Sequence, residues 1–342
     1  MRRHLLGLRE LSRPEIEDLL DAAQGFVDSE RRGTGLRGTT VASLFYEPST
    51  RTELSFDLAA RRLGAQMLRC DIDHSSVRKG ESLLDTAKTI EALGVDALVI
   101  RHPASGAPWL VARHVACAVI NAGDGMQEHP TQGLVDLLTV RQRLGRIVDL
   151  KLTIVGDVRH SRVARSAAWG FSKLGAHVTF VGPQTLLPRD CRALPAYCTT
   201  SLEEGLDGAD VVMALRMQLE RQAGGDVPSL AEYANRYGVT ERILARTAPE
   251  AIVMHPGPIN AGIELSDDVA CDPRSVIDQQ VRNGVYVRMA TLSWVLETPS
   301  TQSHQSTAES PPLDGDRIPQ PVLAYSGSSY LTGKTGKTGR TG

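Results

Sequence analysis

The chain has 342 residues, of which 41% are hydrophobic, and its formal net charge is -2. This length can bury a large core and favours two domains. The near-neutral charge argues against a nucleic-acid binder, which usually shows a basic excess, and no apolar run reaches the roughly 20 residues of a membrane span. The net charge does not exclude a small anionic substrate, because local arginines matter more than the total charge.

The N-terminus and the cysteines predict a cytoplasmic protein. Residues 1–4 are basic but lack the apolar core of a targeting segment, and Ser12-Arg13-Pro14-Glu15 is a helix-start pattern. The cysteines are odd in number and contain no Cys-x-x-Cys pair: Cys70, Cys117, Cys191, Cys198 and Cys271. We therefore expect neutral or buried thiols in a reducing compartment, with neither a structural zinc site nor a disulfide framework.

Short apolar runs alternate with helical patterns in the first half of the chain. Runs at 40–46, 95–100 and 117–120 are predicted strands. A helix follows the first run, and we expect it to place Leu54, Leu58 and Leu63 on or near one face. This alternation predicts an α/β fold with a parallel sheet covered by helices on both faces.

The same pattern restarts at Leu150. Predicted strands lie at 151–157, 176–181, 209–214 and 251–254, and predicted helices at 161–174, 131–144 and 275–296. We therefore expect two domains joined by interdomain helices, the first formed by residues 1–140 with 284–298 and the second by residues 145–283. Ser, Thr, Gln, Pro and Gly dominate residues 299–342, which predicts a disordered tail.

The run Ser49-Thr50-Arg51-Thr52 comes where a strand ends and a helix begins. Free amide groups at a helix N-terminus, several hydroxyls and an arginine suit a dianion such as phosphate. An ordinary capping box is the alternative, since Ser, Thr and Glu are common at this position. Arg51 favours the phosphate interpretation.

Further polar residues follow other predicted strands. His129 and Gln132 are three residues apart at the start of the linking helix, so they face one side. Open α/β sheets bind ligands at the carboxyl ends of their strands. Similarly placed residues are Arg101, Arg162, Arg216, Gln218 and the segment His255-Pro256-Gly257-Pro258. Together they predict a cleft lined for anions and shared by both domains.

At these motifs the chain resembles the transcarbamoylases, and within them the aspartate branch, over essentially residues 1–298. Ser-Thr-Arg-Thr with His-Pro-x-Gln is specific to that superfamily. The segments Lys79-Gly80-Glu81-Ser82 and His255-Pro256-Gly257-Pro258 resemble the aspartate branch, whereas an ornithine enzyme would show His-Cys-Leu-Pro near 255. Glu53 and Ala261 depart from the family pattern, which commonly has arginine at both places.

The resemblance implies an enzyme of pyrimidine biosynthesis that transfers the carbamoyl group of carbamoyl phosphate to the amine of L-aspartate, without metal or cofactor. The implied carbamoyl phosphate residues are Ser49, Thr50, Arg51, Thr52, Arg101, His129, Gln132, Gly257 and Pro258. The implied aspartate residues are Lys79, Arg162, Arg216 and Gln218. The implied catalytic residues are Arg51, Thr52, Lys79, Arg101 and His129.

The resemblance also implies a homotrimer with shared active sites, because the loop that carries Lys79 reaches into the neighbouring subunit's site in this family. Regulatory or dihydroorotase subunits stay open as further partners. Three alternatives remain: a transcarbamoylase with another amine acceptor, a catalytically silent homologue that serves as an assembly subunit, and a nicotinamide dehydrogenase. The turn at Gly156-Asp157 argues against the last, because it lacks the glycines that a pyrophosphate needs.

Overall fold

A computed structural model of the chain describes residues 3–29, 35–70, 80–217 and 229–296. The first half forms a parallel sheet from β1 (Thr40–Phe45), β2 (Gln66–Cys70), β3 (Ala97–His102) and β4 (Ala118–Asp124), in the order β2-β1-β3-β4. The second half forms another from β5 (Lys151–Val155), β6 (His177–Val181), β7 (Tyr197–Thr199), β8 (Val211–Ala214) and β9 (Ile252–Met254), in the order β7-β6-β5-β8-β9.

Helices cover both sheets, and two of them link the halves. Their bounds are α1 Arg13–Ser29, α2 Thr50–Leu63, α3 Leu83–Ala92, α4 Ala107–Ala112, α5 Pro130–Leu144, α6 Arg162–Lys173, α7 Leu202–Leu206, α8 Leu230–Tyr237, α9 Glu241–Thr247, α10 Asp267–Ala270 and α11 Ile277–Leu296. Helix α5 packs against α6 and α11, and α11 also packs against α1 and α2. No described helix combines the length and apolarity needed to cross a bilayer.

Burial explains why these segments form a covered parallel sheet. Every residue of β4 and of β8 is buried, as expected for strands with helices on both faces. One apolar cluster joins Val41 of the first sheet to Ile154 of the second through Leu134 and Leu138 of α5. The predicted α/β class with two parallel sheets is confirmed, and all described residues belong to one compact unit.

Local details both confirm and correct the expectations. The capping box of α1 is present, because Glu15 accepts from the Ser12 amide at 2.8 Å and Ser12 Oγ accepts from the Glu15 amide at 3.4 Å. The prediction that three leucines of α2 lie on or near one face is wrong. Leu63 is buried, whereas the side chains of Leu54 and Leu58 are 52% and 41% exposed. Nine residues at about 100° each place Leu63 opposite Leu54.

The expectation that all five cysteines are thiols is also wrong. Cys191 and Cys198 form a disulfide, with 6.3 Å between their Cα atoms. A short 3₁₀ helix at Cys191–Ala193 brings the first cysteine beside the edge strand β7, which contains the second. A spacing of seven residues carries no such signal, because the contact depends on the turn between them. Cys117 is a buried thiol, Cys70 is half-buried and Cys271 is exposed.

Candidate active site

A cavity of about 660 Å³ lies at the carboxyl ends of the strands of both sheets. Each predicted site residue in the described part of the chain lines it: Ser49, Thr50, Arg51, Thr52, Arg101, His129, Gln132, Arg162, Arg216, Gly257 and Pro258. Lys79 and Gln218 lie outside the described residues. Glu53 does not line the cavity, and Ala261 is exposed on the surface.

The start of α2 forms one wall of the cavity. Ser49 occupies the N-cap position, yet its side chain makes no capping hydrogen bond to the helix. The simple capping interpretation therefore lacks its characteristic contact, and the Ser49 hydroxyl borders the cavity instead. A helix N-terminus in this position favours an anion through its amide groups and dipole.

Arg51 and Gly257 bring the two halves of the site together. Gly257 has a φ of +64°, and a Cβ atom built there would collide with the Arg51 guanidinium. Partial burial lowers the pKa of Arg51, and the positive charge of Arg216 lowers it further. The repulsion that Arg51 experiences from Arg216 favours the binding of an anion between the two guanidinium groups.

Glu47, directly after β1, orients two arginines. Its Oε2 accepts a 2.7 Å hydrogen bond from Arg162 Nη2 and lies 3.7 Å from Arg101 Nε. Arg101 also donates from Nη1 to the Ala122 carbonyl at 3.1 Å. Gly123, with φ of +113°, leaves room for both cations, since a Cβ there would lie 2.9 Å from Arg101 Nη1.

His129 is buried at the N-cap of α5, and its amide donates to Ser166 Oγ at 2.8 Å. Burial lowers its pKa well below the usual value, and the charges of Arg101, Arg288 and Arg162 lower it further. The imidazole is therefore neutral near pH 7. A neutral imidazole can donate one hydrogen bond to a carbonyl oxygen without adding a charge.

The aspartate/ornithine carbamoyltransferase models match nearly all of the described residues. The model for the carbamoyl-P binding domain matches residues 3–142, and the model for the Asp/Orn binding domain matches residues 148–295. The chain belongs to this family. One family relative, the aspartate carbamoyltransferase catalytic subunit of Sorangium cellulosum, is 52% identical over 298 residues, covering 86% of this chain and 92% of that protein. Its counterpart in Heliobacterium modesticaldum is 50% identical, covering 84% and 94%.

Solved structures of the carbamoyltransferase family share the fold. Aspartate transcarbamoylase from Trypanosoma cruzi in complex with N-(phosphonacetyl)-L-aspartic acid has a TM-score of 0.78 at 31% identity, covering 86% of this chain and 96% of that one. Ornithine carbamoyltransferase from Pyrococcus furiosus has a TM-score of 0.77 at 27% identity, covering 86% and 97%.

Sequence reasoning missed Arg288, which lines this carbamoyltransferase cleft, and Glu47, which holds two of its arginines. Arg288 of α11 is buried, lines the cavity and has its pKa lowered to about 10 by burial. Its guanidinium lies 5.2 Å from the Phe56 ring and donates to the Gly284 carbonyl. Gln280, Gly284 and Arg288 recur every four residues on one face of α11, but the other polar residues of that helix hide this pattern in the sequence.

Proposed function

We propose that the chain transfers the carbamoyl group of carbamoyl phosphate to the amine of L-aspartate, giving N-carbamoyl-L-aspartate and phosphate for pyrimidine biosynthesis. One observation carries this proposal: cations from both halves of the chain line a single cavity. Arg51 and Arg101 come from the first half, and Arg162 and Arg216 come from the second. Two anionic substrates brought together in this way react as if at high local concentration.

Carbamoyl phosphate would lie against the first half, with its phosphate on Ser49, Thr50, Arg51 and Thr52. The aspartate amine attacks the carbonyl carbon, and negative charge develops on the carbonyl oxygen. Thr52, Arg101 and neutral His129 are donors preorganised for that charge. The carbon–oxygen bond to phosphate then breaks, and the departing phosphate accepts the proton that the amine loses. Gln132 and the Gly257-Pro258 backbone would accept hydrogen bonds from the carbamoyl amine.

Aspartate would lie against the second half, with its carboxylates on Arg162, Arg216, Gln218 and Lys79. Arg162 supports this placement directly: its buried Nη1 has no hydrogen-bond partner among the described residues, while Nη2 is held by Glu47. A carboxylate would satisfy that guanidinium in the bidentate manner that arginine favours.

The assembled form is part of the proposal. We expect a homotrimer in the cytoplasm, in which Lys79 acts in the neighbouring subunit's site, and we leave regulatory or dihydroorotase subunits open. Residues 1–140 with 284–298 would form the carbamoyl phosphate domain, and residues 145–283 the aspartate domain. The relatives carry names that fit this assignment, since two are aspartate carbamoyltransferase catalytic subunits.

A direct assay tests the proposal. Purified protein supplied with carbamoyl phosphate and L-aspartate should release phosphate and form carbamoyl aspartate, whereas L-ornithine should not replace aspartate. Turnover with ornithine alone would indicate another amine acceptor, and no turnover with either would indicate a silent homologue. Arg51→Ala should abolish activity without changing the native mass. Arg61→Ala, an exposed arginine in the last turn of the same helix, is the matched control and should stay active.

A further inference from the structure

Asp136 is a fully buried carboxyl group next to the cavity rather than in it. It lies in α5, one turn after Gln132, and burial raises its pKa to about 7. A single oxygen, Oδ1, accepts two hydrogen bonds: from Gln132 Nε2 at 2.9 Å and from Gln280 Nε2 at 2.8 Å. Both glutamines line the cavity.

These contacts determine which way the Gln132 amide faces. A carboxylate only accepts hydrogen bonds, so the amide nitrogen must face Asp136 and the amide oxygen must face away from it. Protonation leaves this orientation intact when the proton sits on Oδ2, which has no hydrogen-bond partner among the described residues. Gln132 therefore presents Oε1, an acceptor, to the cavity.

The second arm of the same carboxyl group orients the loop after β9. Gln280 donates to Asp136, so its Oε1 is turned to accept from the His255 amide at 3.0 Å. His255 Nδ1 in turn accepts from the Gly257 amide at 2.8 Å. The carboxyl group thus connects α5, α11 and the segment that contains Gly257.

We infer that Asp136 is a positioning residue that selects for an acyl phosphate bearing an N–H donor, because it fixes the Gln132 amide oxygen toward the substrate. The inference rests on the proposed function and deepens it. A carbamoyl group carries two N–H donors and satisfies this oxygen. An acetyl group carries a methyl instead and leaves a half-buried acceptor unpaired, which sites of this kind reject.

Two stable ligands of equal shape test this selection without turnover. Phosphonoacetamide carries the NH2 group, and 2-oxopropylphosphonate carries a methyl in its place. Calorimetric titration of the assembled wild-type protein should give an amide preference of about tenfold or more. Asp136→Leu fills the buried volume but lets the Gln132 amide turn. The preference for the amide ligand should therefore fall to about twofold or less, and the affinity for the ketone ligand should stay within about threefold of wild type. Asp136→Asn keeps an acceptor oxygen and should retain the preference.

Each outcome decides the inference. A preference that survives in Asp136→Leu overturns it, and so does a wild-type protein that binds both ligands equally or neither. Equal weakening of both ligands in Asp136→Leu indicates a merely structural role and also overturns it. If Asp136→Leu does not fold, Asp136→Ala takes its place and Gln132→Leu gives the fully unselective reference. If the wild-type protein prefers the amide but forms no carbamoyl aspartate, the proposed function is wrong while the selection by Asp136 is supported.

Discussion

Glu47 Oε2 and Arg162 Nη2 lie 2.7 Å apart and join the loop after the first strand to the start of α6. Glu47→Gln keeps the size and removes the charge that orients Arg162. We expect kcat/KM for aspartate to fall by roughly tenfold or more, because a mostly buried guanidinium loses its counter-charge. The affinity for inorganic phosphate, measured separately, should stay the same or increase. Glu203→Gln, in an exposed pair with Arg246, should change neither quantity; unaltered aspartate kinetics in Glu47→Gln would contradict the orienting role.

The contact between Gly257 and Arg51 predicts that a single methyl group damages phosphate binding. Gly257→Ala should displace the Arg51 guanidinium and weaken the binding of inorganic phosphate by about tenfold or more, since a charge-assisted hydrogen bond is lost. Gly262→Ala is the matched control, because Gly262 also has positive φ, at +74°, but no heavy atom lies within 4 Å of an added Cβ. If both variants lose phosphate affinity to the same extent, backbone strain at positive φ, rather than the collision with Arg51, causes the loss.

Glu128 predicts a pH dependence of stability. Its Oε2 accepts from the Leu8 amide and from Ser166 Oγ, and burial raises its pKa from 4.5 to about 7. The folded protein therefore binds this proton more tightly than the unfolded chain. The resulting stabilisation is complete below pH 4.5 and is lost as pH rises through about 7, by an amount of the order of 3 kcal/mol.

Glu128→Gln should remove this loss. Urea unfolding at about pH 5 and about pH 8 should show the wild type losing more stability between the two values than the variant. Glu232→Gln, at an exposed acid in α8, serves as the control and should follow the wild type. Parallel behaviour of wild type and Glu128→Gln would mean that Glu128 is ionised throughout this range.

The proposed sharing of active sites between subunits predicts complementation between inactive chains. Arg51→Ala and Lys79→Ala proteins should each be inactive alone. Mixed by reversible dissociation, they should recover part of the wild-type activity, because some sites then combine an intact Arg51 with an intact Lys79 from a neighbour. A mixture no more active than its parents would place both residues in the same chain's site.

Much of the site was predictable because parallel sheets place the carboxyl ends of their strands at one edge. Arg101 and Arg216 closely follow apolar runs, and His129 opens the helix that comes after another, so these patterns place all three at that edge. Strand β2 was not predicted, because Gln66 and Arg69 interrupt its apolar pattern at an exposed sheet edge. Strand β7 has only three residues, which is too short for any alternation to be visible.

The missed residues share another cause. Arg288 is recognisable only from its contacts, since Phe56 and His129 are far from it in sequence and a helix of mixed character gives no hint of a cavity. The link between Cys191 and Cys198 likewise depends on a turn beside an edge strand. Sequence patterns report local periodicity, whereas these features come from packing between distant segments.

Helix α11 places Gln280 and Arg288 in a cavity whose opposite wall begins at Ser49. This arrangement has a consequence for synthesis. In a ribosome-bound chain, the cleft lacks a wall until residues 277–296 have left the exit tunnel. Substrate therefore cannot stabilise the nascent chain through a complete site, and the contacts of α11 with α1 and α2 are also missing until then.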